Sequence, residues 1–146
     1  MNNPASHSTG FHILRVAFIY FLLVFGAGFA LAFIRIPFLV PAFGVRTAEL
    51  LETPVMLGVI VLCSRTLACR NADLGRSGRL VAGLAALALL VAAELALAYA
   101  LGARSISEYI ASRDPVSGSV YLASLLFYGI ALALWRSPPA TGKRLP

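Results

Sequence analysis

Four long apolar runs, separated by short polar or proline-broken pieces, occupy most of this chain. They cover residues 13–34, 51–69, 80–101 and 116–135. Each approaches the roughly 20 apolar residues that carry a helix across a bilayer core. Lipid offers no partner to an exposed backbone N–H or C=O, so chains of this kind span membranes as helices that bond internally. Composition agrees. The 146 residues are 60% hydrophobic and 12% charged, against about 25% charged in a soluble domain. Too little polar surface remains to coat a water-soluble globule, and the lipid bilayer is the expected environment.

The net charge of +6 raises the question of nucleic acid. The basic residues, however, flank apolar runs, where topology signals sit. They form no basic stripe with interleaved aromatics, so no nucleic-acid partner is expected. Cys63 and Cys69 are six positions apart, or about 600° around a helix. They point to different faces and have no histidine nearby. Neither a metal site nor a cofactor is expected.

Residues 1–12 are polar and read as a disordered tail. The first helix follows over residues 13–34, with Arg15 at its start. Ala30-Leu31-Ala32 has the small-x-small form of a signal cleavage site. The apolar stretch before it exceeds the usual 7–15 residues of a signal core, so the segment is expected to be retained. Residues 35–53 are apolar but broken by Pro37, Pro41 and Gly44. They read as a connection lying in the interface or folded back on the bundle. In the second helix, Pro54 removes a backbone donor and predicts a kink near Glu52.

A basic loop, residues 70–79, leads to a third helix of alanine and leucine whose one charge is Glu94. Its Ala88, Ala92, Ala96 and Ala100 recur every fourth residue, a row that lets another helix approach closely. Ser105-Ile106-Ser107-Glu108 has capping-box form. A short interfacial helix is expected there, before the fourth span. Asp114-Pro115 reads as an N-cap followed by proline at the first helical position. Trp135-Arg136 closes the fourth helix as an aromatic-basic boundary pair. Residues 137–146 read as a second disordered tail.

Eight Lys/Arg (Arg15, Arg65, Arg70, Arg76, Arg79, Arg136, Lys143, Arg144) lie on one side, and Arg35, Arg46, Arg104 and Arg113 on the other. This asymmetry places both termini in the cytoplasm. Depth then follows from helical rise. Glu94 lies fifteen residues after Arg79, about 22 Å along a helix and hence in the outer leaflet. Glu52 lies eighteen residues before Arg70, about 27 Å from the cytoplasmic end. Arg35 closes the first helix on that same side. Arg35, Arg46, Glu49, Glu52 and Glu94 therefore form a candidate charge cluster in one layer.

Charges at membrane depth are costly and are usually paired or functional. The first reading is non-enzymatic: the cluster organises helix packing and contacts with a partner, either a second copy or another membrane protein. An alternative is a binder or transporter, working as an oligomer, of a charged amphiphile, ion or proton. Arginine would suit an anionic head. A further alternative is an intramembrane enzyme using a buried glutamate as general base. No catalytic residue is assigned, because no histidine accompanies the glutamates.

The stretch Arg35…Leu39-Val40-Pro41…Gly44-Val45-Arg46…Ala48-Glu49-Leu50-Leu51-Glu52-Thr53-Pro54-Val55-Met56, with Ser112-Arg113-Asp114-Pro115-Val116, resembles small four-helix inner-membrane proteins of Gram-negative bacteria. That family has no established activity. The resemblance implies a multi-pass bacterial inner-membrane protein and transfers no site residue. The expected architecture is all-α, with four transmembrane helices in one bundle over residues 13–136.

Topology is directly measurable. A reporter active only in the cytoplasm should work when fused after Pro146, and one active only in the periplasm should work within residues 102–114. The reverse pattern at Pro146 would leave an odd number of spans.

Overall fold

The computed structural model describes residues 4–100 and 115–135, and every regular element among them is helical. Helix α1 spans Pro4–Ile34, a π-helical turn Arg35–Leu39 follows, and α2 spans Val40–Arg70. A 3-10 turn, Ala72–Leu74, leads into α3 (Gly75–Ala100), and α4 is Pro115–Leu134. The stretches Thr9–Arg70, Ala72–Ala100 and Pro115–Leu134 are long and apolar enough to cross a membrane, by length and composition. The expected interfacial helix and C-terminal tail lie outside the described residues.

The N-terminal expectation is corrected. Residues 4–12 are helical rather than an irregular tail. Proline is tolerated in a first turn, where its missing N–H has no helical partner. His12 then ties this end down. A His12 ring N–H donates from Nε2 to Asn71 Oδ1 at 2.9 Å, and Nδ1 lies 3.3 Å from Asp73 Oδ2.

Residues 35–53 are also more regular than their prolines predict. Pro37 cannot donate a backbone bond, and its ring crowds the carbonyl one turn back. The helix accommodates it by widening, so that the Val40 N–H bonds back to the Arg35 carbonyl, five residues earlier. Pro41 falls in the first turn of α2, where a lost donor costs little. The break comes at Gly44, with φ 78° and ψ 164°. A side chain there would be strained, and glycine has none. The expected kink at Pro54 is not where α2 breaks: Gly44 is its one non-helical position. Pro54 removes a single bond, whereas Gly44 leaves the helical region altogether.

The chain doubles back around Gly44. Arg35 meets Glu52, a methyl added at Gly28 would touch Met56, and His12 meets Asn71. α1 and α2 therefore run antiparallel. α4 runs antiparallel to α3, with Gly83 against Gly129 and Glu94 against Tyr121. α1 packs beside α2 and α3, and α4 beside the same two.

The core is set by small residues and one aromatic pair. Val16, Ala17, Tyr20 and Val24 face inward from α1, and Ala82, Ala86 and Leu90 from α3. The rings of Tyr20 and Tyr128 stack with centroids 4.4 Å apart, and the Tyr20 hydroxyl donates to the Tyr128 carbonyl at 3.3 Å. Trp135 Nε1 donates to the buried Ser64 Oγ at 2.9 Å, fastening the end of α4 to α2. Arg79 was counted above only as a topology signal, yet it is 3% exposed. It donates to the carbonyls of Ala68 and Gly75. The negative end of the α2 dipole lies where its charge is buried.

The outer surface is apolar. Phe11, Phe33, Phe38, Leu62 and Leu126 are each about two-thirds exposed or more. Contiguous apolar surface on this scale marks an interaction with lipid or protein.

Gly83 and Gly129 give the closest helix approach that a substitution can probe. A Cβ at Gly83 would collide with the Gly129 carbonyl, whereas one at Gly26 meets nothing within 4 Å. Gly83→Ala should destabilise the protein by about 1–3 kcal/mol. Gly26→Ala should be neutral or stabilising by up to about 1 kcal/mol. Unfolding in mixed micelles would compare them, and equal stabilities would contradict the α3–α4 contact.

Candidate functional site

At the end of the bundle opposite His12, the four helices part around a cavity of about 560 Å³. This lies within the roughly 300–1,000 Å³ range of small-molecule sites. Its inner part is largely apolar, formed by Val24, Ile60 and Leu90 with Tyr128, whose buried hydroxyl has no hydrogen-bond partner among the described residues. Its outer part carries Arg35, Glu49, Glu52, Glu94, Ser117 and Tyr121. Val24 and Arg35 bound it along α1, so it runs about 16 Å along the bundle axis. Phe29, Ile36 and Leu97 line it and are also exposed on the outer surface.

The wall on α1 is an aromatic ladder. Phe21, Phe25, Phe29 and Phe33 recur at every fourth position, which puts them on one helical face. Successive centroids are 5.3, 6.2 and 5.2 Å apart. Phe25 and Phe29 from this ladder line the cavity. The four-residue spacing is visible in the sequence; that it faces a cavity is not.

Of the five candidate charges, Arg35, Glu49, Glu52 and Glu94 line the cavity and Arg46 does not. Arg46 is exposed at the start of the long leg of α2 that follows Gly44. The reversal at Gly44 carries Arg35 to Glu52, with Nη1 and Oε2 3.0 Å apart. Their side chains are 28% and 15% exposed, so the charges are partly withdrawn from solvent and depend on each other.

Glu94 meets no arginine among the described residues. Its Oε2 accepts a hydrogen bond from the Tyr121 hydroxyl. Nothing in the sequence analysis singles out Tyr121 as the partner of Glu94. A signal existed: Glu94 lies six residues before the end of α3, and Tyr121 six after the start of α4. Antiparallel helices bring such positions to the same height. Thr53 and Ser124 also line the cavity, and each donates its hydroxyl proton to the carbonyl four residues back, Glu49 and Val120 respectively.

The alanine row of α3 lies on the outside, where Ala88, Ala92, Ala96 and Ala100 are exposed. Close packing within the bundle uses Ala82, Gly83 and Ala86 instead. Among the described residues, no three His, Cys, Asp or Glu side chains gather as a metal ion would need. Compared with protein-family models, curated proteins and solved structures, the chain finds no match.

The ion pair is open to a double-mutant test. Arg35→Gln and Glu52→Gln should each lower stability, and the double variant should recover part of the loss. The coupling expected for residues in one salt-bridge network is about 0.5–3 kcal/mol. Strict additivity in an unfolding titration would show that the two groups do not interact.

Proposed function

We propose that this protein is a multi-pass membrane protein of four spanning helices, with both termini cytoplasmic, that binds a charged amphiphile in the cavity at the outer end of its bundle. The observation that carries the reading is the polarity gradient of that cavity. Apolar side chains line the inner part, and arginine, glutamates and hydroxyls line the outer part. An alkyl chain inside and a polar head in the charged layer would match both.

The four-span count is supported by the antiparallel return of α2 along α1, which divides the long apolar stretch Thr9–Arg70 into two passes. The inner-membrane placement rests on the positive-inside count and on the family resemblance given above.

A second reading has its own observation. The Arg35–Glu52 pair joins α1 to α2 beside the cavity mouth, and a purely structural role for the charges would need nothing more. The two readings separate on what happens when the cavity is filled. Ala32→Phe combined with Ser124→Phe places two rings in the cavity and leaves every charge in place. In nanodiscs, saturable binding of a single-chain fluorescent amphiphile should weaken by about tenfold or more, equivalent to about 1.4 kcal/mol. A filled variant that folds and binds like the wild type would rule out the cavity as the site.

A further inference from the structure

The binding reading leaves the charge of the ligand's head group undetermined, and the hydrogen-bond directions around the cavity bear on it. We infer that the cavity recognises a cationic head, an ammonium bearing N–H groups, and that Glu94 is the carboxylate that receives it. This inference rests on the cavity being the binding site.

The arginine in the wall would suggest an anion, but Arg35 is committed to Glu52 at 3.0 Å. An anionic head would have to displace that carboxylate. Three hydroxyls of the outer wall point the same way, whereas that of Tyr128, deep in the cavity, makes no hydrogen bond among the described residues and keeps its proton. The Thr53 and Ser124 protons go to carbonyls of their own helices, and the Tyr121 proton goes to Glu94. A hydroxyl whose one proton is engaged still has lone pairs to offer. At Thr53 and Ser124 the outer wall presents acceptors, so the matching head group is a donor.

Glu94 is the strongest of these acceptors. It makes no ion pair among the described residues, and Tyr121 occupies only part of its capacity. An ionised carboxylate has about four lone-pair sites. It is half-buried on a helix of alanine and leucine, where an uncompensated charge is costly. An ammonium would neutralise it and supply up to three N–H donors. The Tyr121 bond holds the carboxylate in place, so little side-chain freedom would be lost on binding. Phe25 and Phe29 lie along the same cavity and provide an apolar wall for the attached chain.

The chemistry fits two sources: a free long-chain amine, or the amine head of an aminophospholipid. The test uses the full chain in phosphatidylcholine nanodiscs, with a primary alkylamine that carries a dansyl group at the far end of its chain, its ammonium left free, as the probe. Decylamine, decanol and decanoate serve as competitors of one chain length and different head charge. Decylamine should displace the probe at least about tenfold better than the other two, as expected for a charge-assisted hydrogen bond. Glu94→Gln should remove that preference, with an unchanged far-UV circular dichroism spectrum and melting temperature reporting that the variant is folded.

Adding phosphatidylethanolamine to the disc lipid separates the sources. Suppression of probe binding identifies a lipid head, and no suppression identifies a free amine; either result is compatible with ammonium recognition. Equal or better displacement by decanoate in the wild type would overturn the inference without needing any variant. So would an unchanged preference in a folded Glu94→Gln protein. In both cases the cavity reading survives. Failure of the wild type to bind the probe or any competitor saturably would overturn the cavity reading itself.

Discussion

A guanidinium and a carboxylate 3.0 Å apart, both partly withdrawn from solvent, dictate how the outer half of this bundle is built. Neither charge is stable alone in apolar surroundings, so the chain must bring the end of α1 to the start of α2. It does so with two local devices. The π-turn at Arg35–Leu39 absorbs Pro37 without ending the helix, and Gly44 supplies the reversal. Once Arg35 and Glu52 meet, the first two helices are fixed as an antiparallel pair, and their separation sets one side of the cavity.

The inner half of the bundle is held differently. Tyr20 stacks on Tyr128, and Gly83 lies against Gly129. These contacts depend on shape rather than charge. Where side chains are small the helices close up. Where the Phe21 to Phe33 ladder and the charged layer begin, they part. The cavity is the consequence of joining a close-packed inner half to a bulky, polar outer half. Its gradient from apolar to charged follows from the same division, and the proposed binding of a single-chain amphiphile, head outward, rests on that gradient.

The end of the bundle at His12 shows how polar groups are satisfied where the apolar runs stop. Arg79 is buried against the last carbonyls of α2, and His12 reaches across to Asn71 and Asp73. A basic residue read only as a topology signal thus also serves as a cap. These contacts tie α1, the α2–α3 turn and α3 together at that end. The outer end is left as the place where the helices separate.

Much of this was legible in the residues themselves. The length and apolarity of the runs imply helices, because only internally bonded backbone is stable away from water. A fixed rise of about 1.5 Å per residue puts Arg35, Glu52 and Glu94 at one height, and all three line one cavity. What stayed hidden depended on rotation and on neighbours. Whether Pro37 or Pro54 would break a helix depended on how the surrounding turns could absorb a lost donor, and Gly44 proved to be the break. Height along a helix does not say which way a side chain faces. Glu94 could therefore be given a depth, but its partner Tyr121 emerged only once α3 and α4 were seen to be antiparallel neighbours. The alanine row suggested a packing face by its spacing, but the bundle closes on Ala82, Gly83 and Ala86 and leaves that row outside. The sequence by itself determined a helical chain with helices long and apolar enough to cross a membrane and with charges at defined heights, since hydrophobicity and helical rise are properties of each segment alone. The tertiary structure alone decided which charges meet and where a cavity opens, since both depend on how separate helices rotate and pack.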